Sequence, residues 1–287
     1  MELIEKVKKA LIDSGFPLEM KIAKILRQKD WSVSVGRRYE DFETNMLREI
    51  DIVGEKSING IRVHLFAECK KSDNKQLVLY APNITKSLIR LLNPVKYFPK
   101  LEKNSHGYKM EKKLLEAFSQ MPLMNEAVPV SNNIIFTKGE KVEQNNDSFF
   151  SALNGLLKYS IISGSDGYIS TEFQIIFLHG LIYDGVIYQV KESNSDEFNI
   201  EEVAYGQYEF RYKFKFPKES IGAISDIVNT SRFFSHSNVI EILHPTHMEL
   251  YIDTIEKSLL GIPKMELQGW GQSMEDYKEN LINKNKK

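Results

Sequence analysis

The chain of 287 residues contains a single cysteine, Cys69. One thiol cannot close an intramolecular disulfide or supply a multi-cysteine zinc site, and such sparing use suits a reducing interior. Long apolar runs are missing as well. None approaches the roughly 20 residues that a membrane-spanning helix requires. The opening Met1-Glu2-Leu3-Ile4-Glu5-Lys6 lacks the basic-then-apolar order of a secretory leader. These absences predict a soluble cytoplasmic protein without a membrane partner. Neither Gly-x-x-x-x-Gly-Lys-Ser/Thr nor Gly-x-Gly-x-x-Gly occurs, so no nucleotide cofactor is expected. Charge of one sign is also missing: 38 Lys and Arg meet 39 Asp and Glu, for a net charge of −1. With 42% apolar and 27% charged residues, the composition is that of an ordinary globular chain with material for a large core.

The distribution of charge says more than its sum. From Lys70 to Lys113 there are eleven Lys or Arg against three acids, interleaved with Tyr80, Tyr97, Phe98 and Tyr108. Cations alternating with aromatic rings suit a phosphate backbone and stacked bases, although a solvated helix-loop surface has the same composition. Lys71, Lys86 and Arg90 are the candidate phosphate contacts here. Arg48 is another, with pairing to Glu40, Asp41 or Glu43 as its alternative.

Periodicity divides the chain into alternating helices and strands. Residues 2–13 read as an amphipathic helix ended by Gly15. Pro17 opens a second, running to about Lys29 with the apolar stripe Leu18, Ile22, Ile25, Leu26. Trp31, Val33 and Val35 alternate as a strand. Helices are predicted over 84–92, 108–120 and from Asp147 to about Ile161, and a buried strand over 133–137. Residues 173–183 and 186–191 read as a hairpin around Asp184-Gly185, and Tyr208–Phe216 as a half-buried strand. A further strand covers 238–243. Thr246 with Glu249 forms a capping box for a helix ending near Gly261. His244 and His247 flank that helix start and suit a capping role better than a metal pair. The division predicted is a core over 1–195, C-terminal strands and helix over 196–262 packed on the same domain, and a tail over 263–287.

One constellation stands out. Along Ile61-Arg62-Val63-His64-Leu65-Phe66-Ala67-Glu68-Cys69-Lys70, the odd-numbered residues form a core face, while Glu68 and Lys70 share the other. Upstream, Arg48-Glu49-Ile50-Asp51-Ile52-Val53-Gly54 is a second strand with an acid in its middle. Asn59-Gly60 between them is a strong two-residue hairpin signal. With those two at the turn centre, Asp51 falls opposite Glu68, about 5 Å away on the same face. Two bare carboxylates there repel, and a divalent cation between them converts the cost into a binding site. Glu19, in the first turn of its helix, borders the buried stripe and joins as a third acid. Glu-x-Lys by itself is weak, since it also occurs at Glu19/Lys21 and Glu111/Lys113. His64 lies further up the Glu68 face and reads as a polar flank.

The order helix Glu19, then Glu49-Ile50-Asp51, then Ala67-Glu68-Cys69-Lys70-Lys71-Ser72 resembles the PD-(D/E)xK nuclease superfamily, in particular its Mrr-like and archaeal Holliday-junction-resolvase-like branches. Ile50 departs from the proline of that pattern. The resemblance implies an α/β restriction-endonuclease-like fold: a mixed central sheet flanked by helices, here with a C-terminal β-rich elaboration. It further implies a metal-dependent deoxyribonuclease, with a setting in restriction, phage defence or DNA repair. Asp51 and Glu68 would hold Mg²⁺, for which Mn²⁺ substitutes. Lys70 would orient or activate the attacking water, and Glu19 would support the metal site. The partner expected is DNA, with a homodimer through the 208–216 strand as a further arrangement. A non-catalytic nucleic-acid-binding module of the same fold is the alternative.

Overall fold

The computed structural model describes residues 3–72, 74–81, 93–94, 130–143, 147–167, 174–191, 198–210 and 238–261. Helices α1 (Leu3–Asp13) and α2 (Phe16–Gln28) precede strands β1 (Ser32–Asp41), β2 (Met46–Ile58), β3 (Ile61–Lys71) and β4 (Gln76–Ala81). Short strands β5 (Asn93–Pro94), β6 (Val130–Ser131), β7 (Asn133–Lys138) and β8 (Lys141–Glu143) lead to helix α3 (Asp147–Gly167). Strands β9 (Gln174–Asp184), β10 (Ile187–Lys191), β11 (Asn199–Val203), β12 (Tyr205–Phe210) and β13 (Asn238–Leu243) follow, then helix α4 (Met248–Leu260). Among the described residues no helix is long and apolar enough to cross a membrane.

The hairpin at Asn59-Gly60 organises the sheet. Both residues take positive φ, 52° and 83°, as a type I′ turn requires. Strands β2 and β3 then pair from Ile58 opposite Ile61 to Ile52 opposite Ala67, the register read from the sequence. Beyond the hairpin, β3 pairs in parallel with β9 along its whole length, and β9 in parallel with β13. The main sheet runs β1-β2-β3-β9-β13-β12-β6 and is mixed; a second sheet runs β11-β10-β4-β7-β8. The architecture is thus α/β with mixed sheets and flanking helices.

Two apolar clusters sandwich the main sheet. On one face, Leu18, Ile22 and Leu26 of α2 and Met248, Ile252, Ile255 and Leu259 of α4 meet Ile61, Val63, Leu65, Ala67 and Cys69. On the other, Phe149, Leu153, Leu156 and Leu157 of α3, with Leu77 and Leu79 of β4, meet Phe66, Phe177, Leu181 and Ile242. Strand β3 is therefore buried on both faces, whereas its sequence pattern marked only one. The parallel contact with β9 explains this, because parallel sheets are covered on both sides.

Several expectations need correction. Asp184-Gly185 does not close a hairpin: β9 belongs to the main sheet and β10 to the second, where it pairs with β4 and β11. Gly185 makes this corner passable, since a Cβ there would lie 2.3 Å from the Ser72 Cβ. Strand β7 is mostly uncovered, with only Phe136 fully buried. Over its described part β12 is buried from Gly206 to Phe210 rather than half-buried. Thr246 does not cap α4 with its side chain; instead the His244 ring accepts the Thr246 N–H, ahead of a 3-10 turn at Pro245–His247. The expected helices over 84–92 and 108–120, the far end of the 208–216 strand and the tail over 263–287 lie outside the described residues.

Candidate active site

The β2–β3 ladder ends at Ile52 opposite Ala67, one step short of the expected pairing of Asp51 with Glu68. There the two strands part. The Asp51 side chain fills the opening, its Oδ2 accepting the Cys69 backbone N–H at 2.7 Å. The pairing on the other side lapses at the same residue: Val35 faces Ile52 and Arg37 faces Ile50, while Gly36 between them turns to a φ of 64°. Packing shows the same break, since Ile50 and Val53 join the α3 cluster and Ile52 the α2 cluster. Strict alternation fails at Asp51, which leaves its carboxylate free of both ladders and tied to β3 instead.

Glu68 is 5% exposed, under α3, and faces Lys70, whose Nζ lies 3.5 Å from Oε2. Gly155 of α3 lets the helix come close: a Cβ there would be 3.4 Å from Tyr39 Oη and 3.5 Å from Glu68 Oε1. Burial and then the Asp51 charge push the Glu68 carboxyl up to about 8, with Lys70 opposing. Asp51 is raised chiefly by burial, against the Cys69 N–H and Lys70, with Glu49 adding to the rise. Glu19 is raised by burial, then by Asp51 and Glu49, and Lys70 again opposes. The structure therefore brings Glu19, Asp51, Glu68 and Lys70 within electrostatic reach of one another. One lysine cannot balance three acids, and an added cation would.

Glu49 is a fifth member that the sequence reading passed over. It lies two residues before Asp51 on the same strand, so the period of two already placed it on the Asp51 side. Among the described residues no three His, Cys, Asp or Glu side chains are arranged as a ready-made metal cage. The donor chemistry nonetheless suits Mg²⁺, which commonly uses one or two carboxylates and completes its shell with water and phosphate oxygens.

The other sequence candidates fall elsewhere. Arg48 pairs with Asp41 through Nε and is not a free phosphate contact. Lys71 donates from Nζ to the Ile12 carbonyl, 3.1 Å away at the end of α1, so it too is engaged. Lys86 and Arg90 lie outside the described residues. His64 is buried against Phe177 and 3.6 Å from Glu55, and sits four residues up β3 from Glu68, about 13 Å along the strand. Burial lowers its pKa to about 4, so it is a neutral core histidine. The Cys69 thiol is buried and its pKa raised, which excludes it as a nucleophile, while its backbone N–H positions Asp51.

Comparison with known proteins yields no match, whether with protein-family models, curated proteins or solved structures.

The buried acids give stability a definite pH dependence. Glu68 and the core residue Glu241 are each pushed by burial up to about 8. The folded state holds their protons where the unfolded chain has released them, so stability falls as pH rises through the interval below about 8. His64 and His179, both held near 4, act in the opposite sense, but only below their unfolded value near 6.5. Between pH 6.5 and 8 the metal-free protein should lose on the order of 2–4 kcal/mol. Thermal scans at the two pH values measure this. Glu68→Gln and Glu241→Gln should each flatten the slope, and a melting temperature that rises with pH would contradict it.

Proposed function

We propose that this chain is a Mg²⁺-dependent endonuclease that hydrolyses phosphodiester bonds of DNA, with the restriction-endonuclease-like fold of the PD-(D/E)xK superfamily. The observation that carries this reading is the meeting of Glu19, Asp51 and Glu68 around Lys70 where β2 and β3 part. Phosphodiester hydrolysis needs an oriented water, charge stabilisation on the phosphoryl oxygens and support for the leaving oxygen. Bound Mg²⁺ would supply Lewis acidity and a more acidic water.

The remaining roles belong to the chain itself. Asp51, anchored through Oδ2 by the Cys69 N–H, would offer its other oxygen to the cation. Glu68 supplies the second carboxylate from a rigid central strand, and placement on such an element favours precise geometry. Lys70, on the same face of β3 and 3.5 Å from Glu68, would hold the attacking water and offset phosphoryl charge. Glu19, on α2, feels the charges of Asp51 and Lys70 and would tune the charge that a bound cation meets.

A panel of single-stranded, duplex and branched DNA, incubated with Mg²⁺ or Mn²⁺ and then with EDTA, tests the proposal. Metal-dependent internal cleavage of at least one substrate is expected. The Lys70–Glu68 ion pair at 3.5 Å would serve a structural role equally well, and it favours a second reading, a non-catalytic nucleic-acid-binding module of the same fold. Tight DNA binding with no cleavage of any substrate would select it.

A further inference from the structure

Helices α1 and α2 gather cations that the acid cluster does not use. From Leu3 to Lys29 there are seven Lys or Arg against three acids, in a chain whose net charge is −1. Three of the seven are engaged. Lys8 pairs with Glu5 at 2.9 Å, Lys29 pairs with Asp253, and Arg27 donates to the Val33 carbonyl at 3.4 Å. The other four, Lys6, Lys9, Lys21 and Lys24, are exposed and form no ion pair among the described residues. Each pair stands three residues apart on its helix, so its two side chains are neighbours. Lys21 and Lys24 lie off the buried stripe of Leu18, Ile22 and Leu26 and face solvent. Of the three acids, Glu5 is held by Lys8 and Glu19 belongs to the acid cluster. Four like charges on two short helices repel one another, and a polyanion relieves that repulsion.

The corner between the two helices is tied to the proposed site. Lys71, next to Lys70 on β3, donates to the carbonyl of Ile12 in the last turn of α1. Glu19 stands in the first turn of α2 and feels the charges of Asp51 and Lys70. Lys9 lies three residues before Ile12, about 4.5 Å along the helix axis, and Lys24 five residues after Glu19, about 7.5 Å. The free cations therefore run outward along both helices from the ends that meet the site.

The neighbouring helix is opposite in sign. On α4, which packs on the same sheet face as α2, Glu249, Asp253 and Glu256 stand against Lys257 alone. A phosphate backbone is thus drawn to α1 and α2 and repelled by α4. Phe16 is the one aromatic residue in α1 and α2, so this surface lacks the row of rings on which unpaired bases stack. Cations without such rings suit the regular phosphate backbone of a duplex.

We propose that α1 and α2 form the surface that grips the backbone of duplex DNA, through Lys6, Lys9, Lys21 and Lys24, which rests on the reading above that DNA is the substrate. Such contacts set the position of the duplex and carry no sequence information.

Fluorescence anisotropy with a labelled duplex, in EDTA so that no cleavage occurs and over a series of salt concentrations, tests the surface apart from the chemistry. Four phosphate contacts predict that log K falls against log salt with a slope of at least about 3.6 in magnitude. Affinity then drops about 10²-fold between 50 and 200 mM salt. Lys6→Gln with Lys9→Gln should lower the slope by about 1.8, and Lys21→Gln with Lys24→Gln by the same amount. Lys141→Gln with Lys257→Gln, exposed cations outside the two helices, should leave it unchanged. All are surface changes, and thermal melts that match the parent's establish that the variants fold. A single strand of the same length should bind more weakly than the duplex. A parental slope in either α1 or α2 double variant, or tighter binding of the single strand, overturns the inference even if the protein cleaves DNA. Slope losses confined to the α1 and α2 variants, in a protein that cleaves nothing with Mg²⁺, uphold the surface and refute the nuclease reading. No duplex binding and no cleavage refutes both.

Discussion

Asp51→Ala should reduce Mg²⁺-dependent DNA cleavage by at least about a thousandfold, because on the proposed reading it would remove a cation ligand along with the hydrogen bond that ties that side chain to β3. Lys70→Ala should lower kcat by about 10²–10⁴-fold with a smaller change in KM, as expected for a group that acts mainly on the attacking water and the developing charge. Lys70→Arg should not restore it, since a planar fork does not replace a compact ammonium. Glu68→Gln should be equally inactive yet more stable than the parent at pH 8, because it removes a buried carboxylate that repels Asp51. That opposition of stability and activity separates a functional acid from a structural one. Steady-state cleavage rates and thermal melts on the same four proteins provide the comparison. If Asp51→Ala or Lys70→Ala cuts at the parental rate, these residues do not form the active site.

Lys158→Met should destabilise the protein by about 3 kcal/mol, the scale of breaking one side of a buried ion pair. Lys158 enters the core from α3 and places Nζ 2.9 and 2.8 Å from the two Asp41 oxygens and 2.7 Å from Glu43 Oε2. Asp41 is fully buried and also receives the Glu43 N–H at 2.9 Å, which stiffens the turn between β1 and β2. Burial would raise its carboxyl, yet Lys158, the Glu43 amide and Arg48 together hold it below the usual range. Without Lys158, the partly exposed Arg48 is the cation left beside that charge among the described residues. Arg48→Met should cost about 1 kcal/mol or less, because its own end of the pair is solvated. Adding Asp41→Asn to Lys158→Met should recover part of the loss. Urea titrations with a common slope measure all of these. A loss under 1 kcal/mol for Lys158→Met would mean that water or other groups neutralise Asp41.

How far the sequence reveals this structure depends on the range of the interactions involved. Asn59-Gly60 announces its turn within two residues, and the β2–β3 register follows from it almost to the site. The last step fails because Asp51 leaves the ladder for the Cys69 N–H, a choice of backbone partner that alternation does not encode. Asp184-Gly185 carries the same local signature as Asn59-Gly60 but turns a corner between sheets, since the neighbours β4 and β13 that claim its strands lie far off in sequence. The second sheet is invisible for the same reason. Lys158 is the one Lys or Arg in α3 and lies 117 residues from Asp41, and nothing local connects the two. Glu49 was legible by its spacing from Asp51. Of the expected phosphate contacts, Arg48 and Lys71 prove engaged within the fold, which local charge counts could not reveal.

The central claim is that Asp51 and Glu68 together hold a divalent cation, and the most direct test is a crystal soaked in Mn²⁺ with data collected at the manganese edge. An anomalous peak bridging one oxygen of Asp51 and one of Glu68, about 2.2 Å from each and absent in Asp51→Ala, is the predicted result. A fully soaked crystal with no peak there, or with manganese bound only at other carboxylates, would contradict the account.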